Sequence, residues 1–230
     1  MSTIAIMQPT YLPWAGYFNL ITRADHFVFL DDVKIEKQSW QVRNKILYNQ
    51  KEAILSLPTQ GSRNQLINEV MLNETTPWRK KQSKFLQYAY AKHPFGLDCL
   101  EVLLPIINNE KHTLLCELNI QIIKSISNNL GFDPTFHRSS GLGIFEARSK
   151  RLISICQKFS CNNYLSPAGA KEYIEKDGDF SNSAIIITYQ EFTPPKYPQK
   201  NLSTFMPYLS IIDMIANIGY SETSKLIQTT

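Results

Sequence analysis

The chain lacks what a membrane span needs. No stretch of about 18 consecutive apolar residues occurs in it, so no transmembrane helix is expected. Its start, MSTIAIMQPTYLPW, has no basic region followed by a long apolar run, so it does not read as a signal peptide. A cytoplasmic location with reduced thiols is therefore expected. Cysteine is scarce, with only Cys99, Cys116, Cys156 and Cys161. Cys156 and Cys161 fit no common zinc spacing, and all four read as small buried hydrophobes. A catalytic thiol would need a base beside it, and only Cys116 has a histidine nearby in sequence, His112. Histidine is equally sparse: His26, His93, His112 and His137 share no metal-ligand spacing, so no metal is expected. Neither sign of charge dominates. The net charge is +4, and basic residues are scattered apart from Arg79-Lys80-Lys81, which reads as a solvated helix face. A nucleic-acid binder would carry a denser basic stripe, so no nucleic-acid partner is expected.

What is present is the composition of a globular chain, 43% hydrophobic and 19% charged over 230 residues. That length buries a core without staples and reads as one domain over 1–230. TIAIM at 3–7 is the short apolar run of a buried parallel strand, and Pro9 must end it. A loop over 8–14, a helix over roughly 15–24 and a strand at 26–30 complete a right-handed β-loop-α-β unit. Residues 41–57 place two apolar segments around Asn49-Gln50-Lys51 and read as a hairpin. A polar loop is expected over 58–68. Thr76-Pro77 opens a helical block over 76–130, with threonine as N-cap. Its helices span about 76–93, 97–108 and 111–130. In the last, Leu114, Leu118, Ile122, Ile126 and Leu130 recur every fourth residue before Gly131 stops it. The αβ pattern then resumes: strands at 135–138, 162–165 and 184–189, helices at 145–159 and 168–176, and a last helix over 208–218 stopped by Gly219.

Ligands of an open parallel sheet bind beyond the carboxyl ends of its strands. The first strand leads there into Gln8, Tyr11 and Trp14, the second into Asp31 and Asp32, followed by Lys37, Trp40, Arg43 and Asn44. Paired carboxylates suit a general base for an amine, with Lys37 beside them. Arg43 and Lys37 suit a phosphate or carboxylate, and the two tryptophans offer flat faces. Plainer roles stand beside these: a turn or cap pair for the aspartates, surface charge for the cations, core for Trp14. The Ser139-Ser140 turn after His137-Arg138 can present backbone N–H groups to an anion, with Arg151 on the following helix facing it. Ser166 stands at another strand-to-helix junction, where a cap is the simpler reading.

IAIMQPTYLPWAGYFNLITRADHFVFLDDVKIEKQSWQVRNKI, residues 4–46, resembles the opening of the WbqC-like proteins. The resemblance continues through Ser139-Ser140, NYLSPAGAKEYI at 163–174 and YLSIIDMIANIG at 208–219. It implies a bacterial protein of O-antigen or other surface-polysaccharide assembly. The implied role is a transferase that adds an acyl or aminoacyl group to an amino sugar, with a nucleotide-linked amino sugar or an acyl donor as small-molecule partner. The opening strand, proline-bearing loop and helix also resemble nucleotidylyltransferases that use His-x-Gly-His. Here Trp14-Ala15-Gly16-Tyr17 falls at that motif, with the glycine kept and both histidines missing. The expected fold is therefore α/β, a Rossmann-like (HUP/nucleotidylyltransferase-like) parallel sheet with a β-hairpin extension and a helical insert. Two other functions stay open: a nucleotide-dependent activating enzyme, and a non-catalytic binding subunit of a glycan-assembly complex. The cofactor is unknown, and a homo-oligomer is left open.

Overall fold

The computed structural model describes residues 2–36, 39–61 and 64–229. Along the chain run β1 (Thr3–Met7), α1 (Ala15–Thr22), β2 (His26–Phe29) and the hairpin strands β3 (Arg43–Tyr48) and β4 (Lys51–Ser56). The short strands β5 (Thr59–Gln60) and β6 (Met71–Leu72) lead to three helices, α2 (Trp78–Tyr90), α3 (Gly96–Ile107) and α4 (Leu115–Asn129). Then follow β7 (Thr135–Arg138), α5 (Arg148–Lys158), β8 (Asn163–Ser166), α6 (Lys171–Asp177), β9 (Ile186–Tyr189) and α7 (Ile211–Thr229).

Five of these strands form one parallel sheet in the order β7-β2-β1-β8-β9. Successive side chains of a strand point to opposite faces, and both faces here are apolar. Ala5, Phe27, Phe29 and Leu165 pack against α1, α4 and α7 on one side. Ile4, Ile6 and Val28 meet Leu152 and Ile155 of α5 and Ile174 of α6 on the other. Each such fully buried side chain contributes roughly 1.5–3 kcal/mol. The result is a Rossmann-like α/β fold carrying a β-hairpin and a helical block. Strand order reverses between β1 and β8, which makes their carboxyl ends the topological switch point. Register brings Met7 beside Phe29 and Phe29 beside Arg138, so the loops after β1, β2 and β7 emerge as neighbours.

Several expectations shift. The hairpin turn is where the polar tripeptide put it, with Asn49 and Gln50 both at positive φ (49° and 62°), as a two-residue hairpin requires. The polar stretch expected as a loop holds regular structure at both ends of its described part, 59–60 and 67–68. Its β5 pairs with β6, and Ile67 is fully buried in a turn whose Asn68 N–H donates to the Asp31 carbonyl at 2.9 Å. Thr76 does not cap α2 with its side chain; its carbonyl takes the Trp78 N–H at 2.7 Å and the helix starts at Trp78. Residues before Leu115 form turns, because His112 N–H bonds to Asn109 and Thr113 N–H to Lys111. Arg79 is no solvated charge. Its guanidinium is buried and donates to Glu74 at 2.7 Å and to the carbonyls of Ile107, Asn109 and His112 at 2.6, 3.1 and 2.7 Å. It ties the start of α2 to the end of α3. Gly219, at φ 77°, kinks α7 rather than ending it, and the following turns bury Thr223 and Ile227. Among the described residues no helix is long and apolar enough to cross a membrane.

Candidate functional site

Proline ends β1, and the loop that follows has no ladder partners, so its polar backbone groups need others. Side-chain amides supply them. Asn44 donates to the carbonyls of Tyr11 and Leu12 at 3.0 and 2.8 Å. Asn119, fully buried on α4, donates to the carbonyls of Pro9 and Gln41 at 3.1 and 2.8 Å. Gln41 donates to the Gln8 side chain, and Tyr17 to the Gln8 carbonyl at 3.0 Å. The Tyr11 N–H reaches the Trp40 carbonyl at 2.9 Å, while its ring is fully buried and its hydroxyl donates to Gln82. Leu12 sits at φ 45°, a left-handed conformation that costs a bulky residue roughly 1–2 kcal/mol. The Asn44 bond holds it there.

Beside this loop, at the carboxyl end of β1, lies a cavity of about 340 Å³. Met7, Thr10, Trp14, Tyr17, Trp40, Asn44, Lys45 and Tyr208 line it. Trp14 meets Phe192 and Tyr208 with ring centres 5.6 Å apart in each case. Its indole lies over the first turn of α1, where a Cβ on Gly16 would strike the ring. Trp40 is 50% exposed and Tyr208 58%, so the cavity opens to solvent between aromatic faces. Tyr208 is also held at φ 61°. Lys45 Nζ stands 3.0 Å from Glu52.

The carboxyl ends of β2 and β7 carry a second feature. Asp31 is fully buried, yet its carboxylate accepts from Arg138 Nε at 2.7 Å, the Ser140 N–H at 2.9 Å, the Ser140 hydroxyl at 2.8 Å and the Ser139 hydroxyl at 3.2 Å. Cys116 Sγ stands 3.8 Å away. Burial opposes the charge of Asp31, but the bonds from the Ser140 backbone, Arg138 and the Ser140 side chain outweigh it and hold the carboxyl below its ordinary range. Arg138 extends the array to Glu117 on α4, Nη1 to Oε1 at 2.5 Å. Burial opposes its charge too, and bonds to Asp31 and Glu117 more than compensate. Asp32 accepts from Ser139 and, at 2.5 Å, from Arg151 Nη2 on α5. Burial pushes the Cys116 thiol up to about 12, which removes it as a nucleophile at neutral pH.

The residues expected at one edge thus fall into two neighbouring groups. Trp14, Trp40 and Asn44 belong to the cavity, and Asp31, Asp32, Ser139, Ser140 and Arg151 to the charged array. Gln8 lies between, bonded through Gln41 to α4. Tyr11 faces the core instead of a ligand. Ser166 is buried at the end of β8, its hydroxyl 3.3 Å from the Pro167 carbonyl. Arg43 is half-buried on β3 with a buried Nε that has no partner, and lines neither group. Lys37 lies outside the described residues. His137 points away from the edge, 3.1 Å from His26 Nδ1 and against Phe159. Glu117, Asn119, Lys45 and Tyr208 were not read as site residues. Glu117, Asn119 and Tyr208 sit on segments far from the opening motif, while Lys45 falls inside it beside Asn44, and only the pairing of strands and helices brings them together. Among the described residues no three His, Cys, Asp or Glu side chains gather as a metal ion would need.

The aromatic cavity and charged array together occupy the place where Rossmann-like sheets bind small molecules. Comparison with known proteins gives this arrangement a family. The Mycobacterium tuberculosis protein Rv1507c, described as uncharacterized, is 29% identical over 221 residues, covering 95% of each chain. No solved structure matches. The profile of the WbqC-like protein family matches residues 8–225, and the chain belongs to that family.

Proposed function

We propose that the protein is a small-molecule transferase of bacterial surface-polysaccharide assembly that places an acyl or aminoacyl group on the amine of a nucleotide-linked amino sugar. The observation that carries this reading is the aromatic-walled cavity of about 340 Å³ at the end of β1, with a charged array on the neighbouring strand ends. Family membership supports it. In such a transfer the amine attacks the donor carbonyl. A C–N bond forms, the bond to the leaving group breaks, and the amine proton passes to a base. Asp31, already filled with donors and held charged, serves to fix Arg138 and the Ser139-Ser140 turn. Glu117 is the member of the array most open to solvent, its side chain 43% exposed, and it takes the role of proton acceptor in this reading.

Nucleotidyl transfer has less behind it. The two histidines that would stabilise a transferring phosphate are replaced by Trp14 and Tyr17, and the Trp14 ring covers the first turn of α1. The test is a thermal-shift panel of nucleotides, nucleotide-linked amino sugars, coenzyme A thioesters and free amino acids, with and without magnesium. A ligand that binds only the folded chain raises its melting point. A shift with an amino sugar or acyl donor is expected. A shift with ATP alone would replace the transferase by an activating enzyme, and a flat panel would favour a binding subunit.

A further inference from the structure

We infer that the cavity at the end of β1 is a subsite for a hexose ring, held by its apolar face against Trp40 and Tyr208. The inference rests on the transferase reading and deepens it at the same cavity, with a readout that does not require transfer.

The cavity walls are largely aromatic, and their amide and one of their hydroxyls are already spent. The Asn44 amide is spent on the Tyr11 and Leu12 carbonyls, and its oxygen takes the Lys45 N–H at 2.8 Å. The Tyr17 hydroxyl is spent on Gln8. The other polar groups of the lining residues are the Thr10 and Tyr208 hydroxyls, the indole N–H groups of Trp14 and Trp40, and the Lys45 ammonium, which pairs with Glu52 at 3.0 Å. A nucleobase is recognised by in-plane donor–acceptor pairs of the kind a free amide supplies, and the one side-chain amide of this lining, Asn44, is already spent. A pyranose has different needs. Its C–H face packs on an aromatic ring, and its hydroxyls stay hydrated at an open mouth. Trp40 and Tyr208 provide that mouth, each at least half exposed.

The backbone supplies an independent sign. Tyr208, a bulky residue of the cavity wall, adopts a left-handed φ of 61°, and Leu12, in the loop two residues past Thr10, one of 45°. Such conformations are uncommon for large side chains and concentrate where function requires them. At Tyr208 the conformation sets the ring beside Trp14, and the main chain then turns into the bridge between Ser210 and Trp14.

Tryptophan fluorescence reads this site directly. Trp14 and Trp40 line the cavity, while Trp78 is buried elsewhere and bonded to Glu74 at 3.0 Å. The protein is titrated with glucose, galactose, glucosamine and galactosamine, each free and as its UDP conjugate, and with UDP alone. Sugar-bearing ligands are expected to change the emission. Trp40→Ala and Tyr208→Ala, at exposed positions that leave the core intact, should each weaken that binding roughly tenfold. UDP alone binding as tightly as its conjugates would overturn the sugar assignment, as would no response across the panel. A response that both substitutions leave unchanged would move the ligand out of this cavity. Acyl transfer unaffected by both substitutions would remove the subsite and leave the transferase reading standing. Sugar binding that depends on both residues, without transfer to any acceptor, would do the reverse.

Discussion

Replacing Asp31 by asparagine should unfold the protein far more readily than it should block a proton transfer. The carboxylate is fully buried and receives Arg138, Ser139 and both donors of Ser140. Asparagine removes the charge that pairs with Arg138 and turns one acceptor into a donor facing donors. Removing one partner of a buried pair costs about 3–5 kcal/mol, and Arg138 is 37% exposed, so water recovers part of this. The lower end, about 3 kcal/mol, is expected, which lowers the melting point of a chain this size by roughly 6–12 °C. The pH dependence follows from the depressed pKa of Asp31. A carboxyl whose pKa is lower folded than unfolded stabilises above its unfolded value of about 4 and loses that contribution as pH falls through the folded value. The gap between wild type and Asp31→Asn should therefore be full at pH 7 and narrow steadily below about pH 4. Urea unfolding of both proteins from pH 7 to pH 3 measures it. Equal stability at pH 7, with transfer lost, would refute the argument and make Asp31 the base that its position in the sequence suggested.

Other perturbations test other joints of the structure. Arg79→Ala removes the guanidinium that serves the Ile107 and His112 carbonyls at and beyond the end of α3, and should cost about 2–4 kcal/mol in urea unfolding. Gly16→Ala puts a methyl where the Trp14 ring lies. It should displace the indole, shift the emission spectrum and abolish cavity binding, at a stability cost of about 1–3 kcal/mol. Asp213 is fully buried, accepting from Tyr197 at 2.8 Å and Gln199 at 3.1 Å, with its pKa raised by burial. A raised carboxyl stabilises in its neutral form, so the advantage of wild type over Asp213→Asn should be full below the unfolded value of about 4 and decline as pH rises above it, followed by thermal melts.

Much of the sheet was legible because strands buried on both faces announce themselves as apolar runs. TIAIM and HFVFL needed no other information, and Pro9 fixed where the first one stops. Positions where a side chain reaches across the fold were not legible. Arg79 sits in a basic tripeptide that resembles a solvated face, and only the docking of α2 against α3 buries it. Glu117 and Asn119 occupy an amphipathic helix whose apolar spacing says nothing about the polar residues that meet the β1 loop. The paired aspartates do stand at the carboxyl end of β2, bonded to the Ser139-Ser140 turn. The sequence could not say that the buried member is saturated with donors, because those donors come from a turn more than a hundred residues later.

The four cysteines are all buried and free, and they are well distributed for observing motion. Cys116 adjoins Asp31 in the charged array, Cys99 lies under α7 with its thiol 3.8 Å from the Ile212 carbonyl, and Cys156 and Cys161 belong to the core beneath α5. A thiol reagent reaches none of them until its neighbourhood opens, so labelling rates become a clock for separate local openings rather than for global unfolding. A ligand that settles at the sheet edge should slow the modification of Cys116 while leaving that of Cys156 at its own pace, so the native protein carries its own reporters without an introduced label.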